Sequence, residues 1–181
     1  MASFQLNGQP VTVPLQDHTP LIDALRNELG WRATRLGCGL GQCGACHVLI
    51  DGQSLPACDT PLWAVQHKQV TTLEVAKSPA PAQPMPAILQ ALQTAFVHEQ
   101  AAQCGFCTSG ILMSAAALLQ HKNAPTVADI HAALDRHLCR CGAHLRIVRA
   151  IQRAAHALQG QPALQDEQST RHAQSLPGGQ A

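Results

Sequence analysis

Residues 37–46 read Gly-Cys-Gly-Leu-Gly-Gln-Cys-Gly-Ala-Cys, and Cys58 follows them further along the chain. This is a C-x4-C-x2-C pattern with a remote fourth thiolate, the ligand spacing of plant-type [2Fe-2S] clusters. Glycines suit that use, because a loop around a cluster needs positive φ angles and backbone N–H groups directed at sulfur. Structural zinc sites usually pair two short knuckles, so zinc fits this set poorly. The pattern therefore predicts an iron-sulfur site on Cys38, Cys43, Cys46 and Cys58, called the first cysteine set below.

A second cysteine set lies nearer the C-terminus, as Cys104-Gly-Phe-Cys107 and Cys139-Arg-Cys141. Two short pairs suit either zinc or iron-sulfur, although Cys-x-Cys is tighter than the usual zinc knuckle. Both pairs fall at predicted helix ends, the first before a helix over 108–120 and the second after a helix over 126–136. A helix N-terminus beside the sulfurs would stabilise a negatively charged cluster. On spacing alone, zinc stays open for this set.

Charge and hydropathy exclude several classes of partner. The chain has 181 residues, a formal net charge of +1 and scattered Lys and Arg residues, so no basic cluster indicates nucleic acid or an anionic membrane. No apolar run is long enough to span a bilayer, and the N-terminus lacks a secretion signal. We expect a cytoplasmic protein, or a periplasmic one if it is exported with a partner. In a reducing compartment, the eight cysteines serve metal or redox chemistry rather than disulfides.

Strand patterns dominate the first part of the chain. Alternating apolar residues flank Asn7-Gly8, a type I′ turn signal, and predict a hairpin. A helix capped by Thr19 is predicted over 20–29. Two further strands flank Asp51-Gly52, and the β-branched run 69–75 predicts another strand. A helix between pairs of strands indicates a small mixed sheet.

Helical patterns dominate the second part. Residues 77–86 carry four prolines, which favour an extended linker over helix or sheet. Beyond them, apolar periodicity predicts four helices, one of which follows a Thr126 cap. From residue 160 the chain is polar and rich in Gln, which predicts a tail. The predicted units are a sheet domain at 1–76, a linker at 77–86, a helical bundle at 87–159 and a tail at 160–181.

Other polar residues carry weaker signals. Thr108 and Ser109 follow Cys107 without a nucleophile motif or a general base, so we expect them to cap a helix. None of the ten histidines has the spacing of a helical zinc motif. We therefore expect the histidines to lie at the surface or to face a partner.

The chain resembles the small iron-sulfur subunits of the molybdenum hydroxylases, the family of xanthine dehydrogenase and aldehyde oxidoreductase. The resemblance covers about residues 3–158 and is carried by 37–46, by Glu99-Gln-Ala-Ala-Gln-Cys-Gly-Phe-Cys107 and by Leu138-Cys-Arg-Cys-Gly142. These stretches are most similar to the small subunits of nicotinate dehydrogenase and isoquinoline oxidoreductase. The resemblance implies an α+β fold, in which an N-terminal β-grasp plant-type ferredoxin domain precedes a four-helix-bundle [2Fe-2S] domain.

The resemblance also implies cofactors and partners. Each cysteine set would hold one [2Fe-2S] cluster, the second on Cys104, Cys107, Cys139 and Cys141. A large partner subunit would hold a molybdopterin cofactor in its cytosine dinucleotide form, and Gln103 and Cys141 match family residues that lie beside the pterin. The chain would pass electrons from that site to a FAD subunit or a cytochrome c domain during hydroxylation of an N-heteroaromatic compound or an aldehyde. It would contain no substrate site and no catalytic residue.

Two alternatives stay open on the residues, a zinc-stabilised interaction module and a free-standing ferredoxin-type carrier. The helical bundle argues against the second, since a plant-type ferredoxin needs only the first domain. We expect helix ends to hold the second cysteine set inside the bundle, buried against the partner subunit, and the first set to be more exposed. Electrons would then reach the second set first and leave through the first.

Overall fold

A computed structural model describes residues 1–77 and 85–160 of the chain. Most of the predicted linker and all but the first residue of the predicted tail lie outside these residues. The last two positions predicted as linker, Met85 and Pro86, already belong to a helix. No helix in the two described ranges is long and apolar enough to cross a membrane.

Five short strands in the described residues form one mixed sheet in the order β2-β1-β5-β3-β4. Strands β1 and β5 are parallel, and the other neighbours are antiparallel. Both predicted hairpins are confirmed, because their central residues have the positive φ angles of a type I′ turn, 52° and 84° at Asn7-Gly8 and 50° and 83° at Asp51-Gly52. The strands are β1 Ala2–Leu6, β2 Gln9–Val13, β3 His47–Ile50, β4 Gln53–Pro56 and β5 Gln69–Thr71.

The helix after the first hairpin differs from its prediction. Helix α1, Leu21–Asp23, is a single α-helical turn that continues as a wider π-helix over Ala24–Glu28. Pro20 is its N-cap, with an extended ψ of 139°, and no side chain caps the helix, so the predicted Thr19 cap was wrong. An isolated bridge pairs Pro20 with Pro61. This long-range pairing holds Pro20 extended and delays the start of the helix.

Strand β5 is shorter than the predicted strand over 69–75. It ends at Thr71, and a 3-10 helix follows over Leu73–Lys77. The buried side chain of Asn7 replaces the ladder here: its Oδ1 accepts from Thr72 N–H at 2.8 Å, and its Nδ2 donates to Thr72 Oγ1 at 3.0 Å. The Asn7 side chain therefore turns the chain out of the sheet.

The four predicted helices of the bundle are confirmed in the described residues. Helix α3 packs on α2, on α4 and on strand β3, so its residues from Ser109 to Ala116 are all buried. All four residues of β3 are buried as well, because Leu49 joins the core of the bundle while Val48 and Ile50 join the core of the sheet. The bundle therefore covers one face of the sheet. The helices are α2 Met85–His98, α3 Thr108–His121, α4 Val127–Leu134 and α5 His144–Leu158.

A very close contact between sheet and bundle joins two glycines. A Cβ atom on Gly110 of α3 would lie 1.9 Å from the carbonyl oxygen of Gly44. Gly44 has a φ of +75°, and a Cβ there would lie 2.3 Å from Nδ1 of His137. Side chains cannot fit at either position without moving main chain. The two glycines therefore set how closely the first cysteine loop approaches the bundle.

The predicted Thr126 cap is confirmed and gives a first test of the bundle. Thr126 and Asp129 form a capping box, in which Asp129 N–H donates to Thr126 Oγ1 and Thr126 N–H donates to Asp129 Oδ2. Thr126→Ala should lower the free energy of unfolding by about 1 kcal/mol in urea denaturation. Thr94→Ala, on the exposed face of α2, is the matched control and should cost nothing, since alanine favours helix. Equal losses in the two variants would contradict the capping role.

Candidate metal centres

The loop of the first cysteine set directs backbone N–H groups at its sulfurs. The N–H groups of Leu40 and Gln42 both donate to Cys38 Sγ at 3.3 Å, and Gly41 N–H donates to Cys58 Sγ at 3.3 Å. Such donors stabilise negative charge on sulfur, as thiolate ligands and cluster anions require. The predicted reason for a glycine-rich loop is confirmed at Gly41, which has a φ of +66° and donates one of these bonds.

Gly37 serves the same loop in a different way. A Cβ atom at this position would lie 2.6 Å from Cys43 Sγ. Gly37 therefore gives room to a candidate ligand, and any side chain there would displace the sulfur of Cys43.

Hydrogen bonding and burial separate the pKa values of the thiols. The backbone N–H of Leu40 lowers the pKa of Cys38 to about 6. Burial raises the pKa of Cys46 to about 12 and that of Cys107 to about 12. Without metal at neutral pH, Cys38 is therefore mainly a thiolate, while Cys46 and Cys107 keep their protons. Because metals bind thiolates, metal loading must release protons from the buried thiols.

Within each set the thiols lie close enough to interact electrostatically. In the first set Cys46 interacts with Cys43 and Cys58, and Cys38 interacts with Cys43. In the second set Cys104 interacts with Cys139 and Cys141, and Cys107 interacts with Cys104 and Cys139. No group of three His, Cys, Asp or Glu side chains in residues 1–77 and 85–160 forms a site for a single metal ion. A [2Fe-2S] cluster takes four thiolate ligands, so a group of four neighbouring thiols suits it.

The second set lies at one end of the bundle and not in its interior. Cys107 is the N-cap of α3, while Cys139 and Cys141 lie in the loop between α4 and α5. Cys104 is exposed and the other three are half-buried, whereas Cys46 and Cys58 of the first set are buried. Within this chain, the expectation that the first set is the more exposed was therefore wrong, while burial of the second set against a partner stays a prediction. Helix ends meet at the surface of the bundle, and no described element covers them.

Thr108 and Ser109 do not cap helix α3, because Cys107 occupies its N-cap position. No side chain caps the N-terminus of α3, so the predicted capping role was wrong. Ser109 is buried, and its Oγ has no hydrogen-bond partner in the described part of the chain.

The two cysteine loops touch each other directly. Leu138 N–H, from the residue before Cys139, donates to the carbonyl oxygen of Cys43 at 3.1 Å. The ring of Phe106, from the Cys104-Cys107 stretch, lies 3.8 Å from the position of a Cβ on Gly37. One hydrogen bond between main-chain atoms therefore links ligand-bearing segments of the two sets.

Two buried histidines lie at the same junction. His47 follows Cys46 directly, and His137 lies two residues before Cys139. Both are buried, so the expectation that the histidines lie at the surface was wrong for this pair. Burial lowers the pKa of His47 to about 4 and that of His137 to about 3, which keeps both rings neutral near pH 7. The spacing of the histidines did not predict this pairing. The position of His47 at the start of a buried strand could have indicated that His47 is buried.

Gln103 lies at the same end of the bundle as Cys141. Gln103 is exposed and precedes Cys104, whose thiol interacts with that of Cys141. An open cavity of about 670 Å³ adjoins Gln103 and is lined also by Phe96, Val97, Leu112 and Arg146. Large apolar side chains are exposed nearby on the same helices and loops, with Val97 at 80% and Leu145 at 77% of their full accessibility.

Fold and cysteine sets together define a two-domain protein of the [2Fe-2S] type. Two family models agree with this class: the model described as "2Fe-2S iron-sulfur cluster binding domain" matches residues 4–73. The model described as "[2Fe-2S] binding domain" matches residues 72–152. The two matches together span the sheet and nearly all of the bundle.

Relatives narrow the class to one family. The chain is 46% identical to a component of nicotinate dehydrogenase from Pseudomonas putida, over 84% of this chain and 93% of that protein. It is also 46% identical to the alpha chain of isoquinoline 1-oxidoreductase from Brevundimonas diminuta, over 86% of this chain and 97% of that protein. The chain belongs to the iron-sulfur small subunits of the molybdenum hydroxylases.

Solved structures agree with this family. The aldehyde oxidoreductase from Desulfovibrio desulfuricans superposes with a TM-score of 0.77 at 36% identity, over 88% of this chain. This chain spans only 17% of that much longer chain. Quinoline 2-oxidoreductase from Pseudomonas putida 86 superposes with a TM-score of 0.75 at 32% identity, over 89% of this chain and 97% of the matched chain. The α+β fold class predicted from the sequence is confirmed.

Proposed function

We propose that this chain conducts electrons from a molybdopterin site in a large partner subunit to a flavin or cytochrome acceptor. The enzyme they form would hydroxylate an N-heteroaromatic compound or an aldehyde. The observation that carries the proposal is the gathering of eight thiols into two sets whose loops share a main-chain hydrogen bond. The names of the two 46% identical relatives, a nicotinate dehydrogenase and an isoquinoline oxidoreductase, support the N-heteroaromatic class.

Two [2Fe-2S] clusters would supply one-electron chemistry to this chain. Cys38, Cys43, Cys46 and Cys58 would hold one of them, and Cys104, Cys107, Cys139 and Cys141 the other. The residues of the chain bind the irons, direct N–H groups at sulfur and fix the distance between the two sets. We assign no catalytic residue to it, since substrate would bind in the partner.

We propose domain limits of 1–76 for the ferredoxin-like unit and 87–159 for the bundle. Residues 77–86 would be the linker, although helix α2 starts at Met85, and 160–181 the tail. Support comes from the change from strands to helices across this segment and from the two family models, which meet at residues 72–73.

The partner would bind at the end of the bundle that carries Gln103 and Cys141. Its molybdopterin, in the cytosine dinucleotide form, would lie beside these two residues. The exposed Cys104 and the large exposed side chains of Val97 and Leu145 at this end support the proposal, because exposed apolar surface often marks an interface. Electrons would enter the chain here, at the second cysteine set.

The acceptor, a FAD subunit or a cytochrome c domain, would bind near the first set. Cys38 is exposed, and the neighbouring Leu36 and Leu40 are exposed as well. Electrons would leave the chain at this edge. We propose a cytoplasmic location, or a periplasmic one if the chain is exported with its partner.

Co-expression with the large molybdopterin subunit tests this assignment. We expect the two chains to elute together from a sizing column, and Leu145→Glu to weaken the complex by at least about tenfold, which is 1.4 kcal/mol. Leu158→Glu is the matched control, because this exposed leucine lies at the other end of α5, about 20 Å away at 1.5 Å per residue. A metal-loaded monomer without affinity for the large subunit would contradict the proposal.

A further inference from the structure

Four buried or half-buried side chains form a hydrogen-bonded group between the sheet and the bundle. Ser114 Oγ lies 2.7 Å from His137 Nε2, 3.2 Å from His47 Nδ1 and 2.6 Å from Ser54 Oγ. Ser54 Oγ also lies 2.8 Å from His47 Nδ1. The rings of His47 and His137 meet edge to face, with centroids 4.7 Å apart. We call His47, Ser54, Ser114 and His137 the Ser114 network.

Ser114 is the centre of this network. It lies in the middle of α3 with 3% of its surface exposed. A hydroxyl has one donor and two acceptor positions, so the three neighbours of Ser114 Oγ use its full capacity. Alanine is a better helix former than serine. Helix formation therefore gives no reason for serine here, whereas the three contacts do.

The two histidines connect this hydroxyl to both cysteine loops. His47 is bonded through the main chain to Cys46, a candidate ligand of the first set. His137 precedes Leu138, whose N–H donates to Cys43 O, and Cys139 comes next. One helical side chain thus holds the end of the first loop and the start of the second. The contact of Gly110 with Gly44 brings α3 close enough for this.

We infer that Ser114 is a positioning residue that fixes the separation of the two cysteine sets and keeps the Leu138–Cys43 hydrogen bond closed. The inference rests on the proposed function. In the step concerned, one electron leaves the second set and arrives at the first, so that one centre is oxidised and the other reduced by one electron. No atom moves. Electron tunnelling weakens steeply with distance and with gaps between atoms, so a loosened junction slows this step.

Ser114→Ala in the assembled enzyme tests the inference. We expect iron content equal to wild type, a changed magnetic interaction between the two reduced clusters in electron paramagnetic resonance, and electron passage between the sets slowed about tenfold. The magnetic readout depends on separation and not on turnover. Ser109→Ala is the matched control, because this buried serine lies on the same helix and its hydroxyl has no partner among the described residues. It should match wild type in all three measurements.

Each outcome is decisive. Ser114→Ala with full iron, an unchanged magnetic interaction and an unchanged rate would overturn the inference. If Ser114→Ala does not fold, Ser54→Ala decides, since it removes only the outer hydroxyl of the network: a magnetic interaction different from that of wild type supports the inference, and an unchanged one refutes it. Failure of the proposed function is distinguishable, because substrate would then reduce neither set in the wild-type enzyme.

Discussion

In the Cys107→Ser enzyme, we expect that substrate no longer reduces the cluster held by the first cysteine set. Cys107 belongs to the set that we place beside the partner, and serine is a poor substitute for a soft thiolate ligand of an iron-sulfur cluster. Electrons from the partner would then have no path to the first set. In steady state we expect activity to fall by more than about a hundredfold, because even outer-shell changes at metal sites cost about 10- to 100-fold.

Cys43→Ser is the matched variant and should behave differently in a single turnover. It damages the first set, so substrate should still reduce the second set at the normal rate while steady-state activity collapses. Freeze-quenched electron paramagnetic resonance after mixing with substrate separates the two cases. If the first set of Cys107→Ser is reduced at the wild-type rate, the proposed order of electron flow is wrong.

Gly110→Ala should be the most destabilising single methyl addition in the bundle. The added Cβ would lie 1.9 Å from Gly44 O, so helix α3 or the first cysteine loop must move. Overpacking of this kind costs about 3 kcal/mol of unfolding free energy, against about 1 kcal/mol that alanine would add through helix propensity. We also expect loss of iron from the first set, since the loop that moves carries Cys43 and Cys46.

Ser109→Ala is the control for Gly110→Ala, because it changes the neighbouring buried residue without approaching the Gly44 main chain. Urea denaturation and iron analysis of both variants give the comparison. A Gly110→Ala protein as stable as Ser109→Ala would show that sheet and bundle do not approach as closely at this glycine pair as described.

Local patterns predicted most of the fold. Both Asn7-Gly8 and Asp51-Gly52 carry the positive φ angles that their turn type needs, and the Thr126 cap forms the expected box with Asp129. Turns and caps depend on residues within a few positions of each other. For the same reason, cysteine spacing separated the two sets and indicated iron-sulfur chemistry for the first set, while it left zinc open for the second.

Long-range contacts account for the errors. The pairing of Pro20 with Pro61 keeps Pro20 out of α1, and the Asn7 side chain ends β5 across 65 positions of sequence. Burial of His47 and His137 depends on Ser114 and on the approach of Gly110 to Gly44, none of which is a local pattern. The same holds for exposure of the second cysteine set, which follows from how the helix ends meet.

Metal analysis of the purified chain tests the central claim most directly. Two [2Fe-2S] clusters require about four iron and four sulfide per chain, with all eight thiols unreactive to alkylation until the metal is removed. We predict this composition, together with the red-brown absorption of iron-sulfur proteins. A colourless protein with stoichiometric zinc and about two or fewer irons per chain would contradict the account.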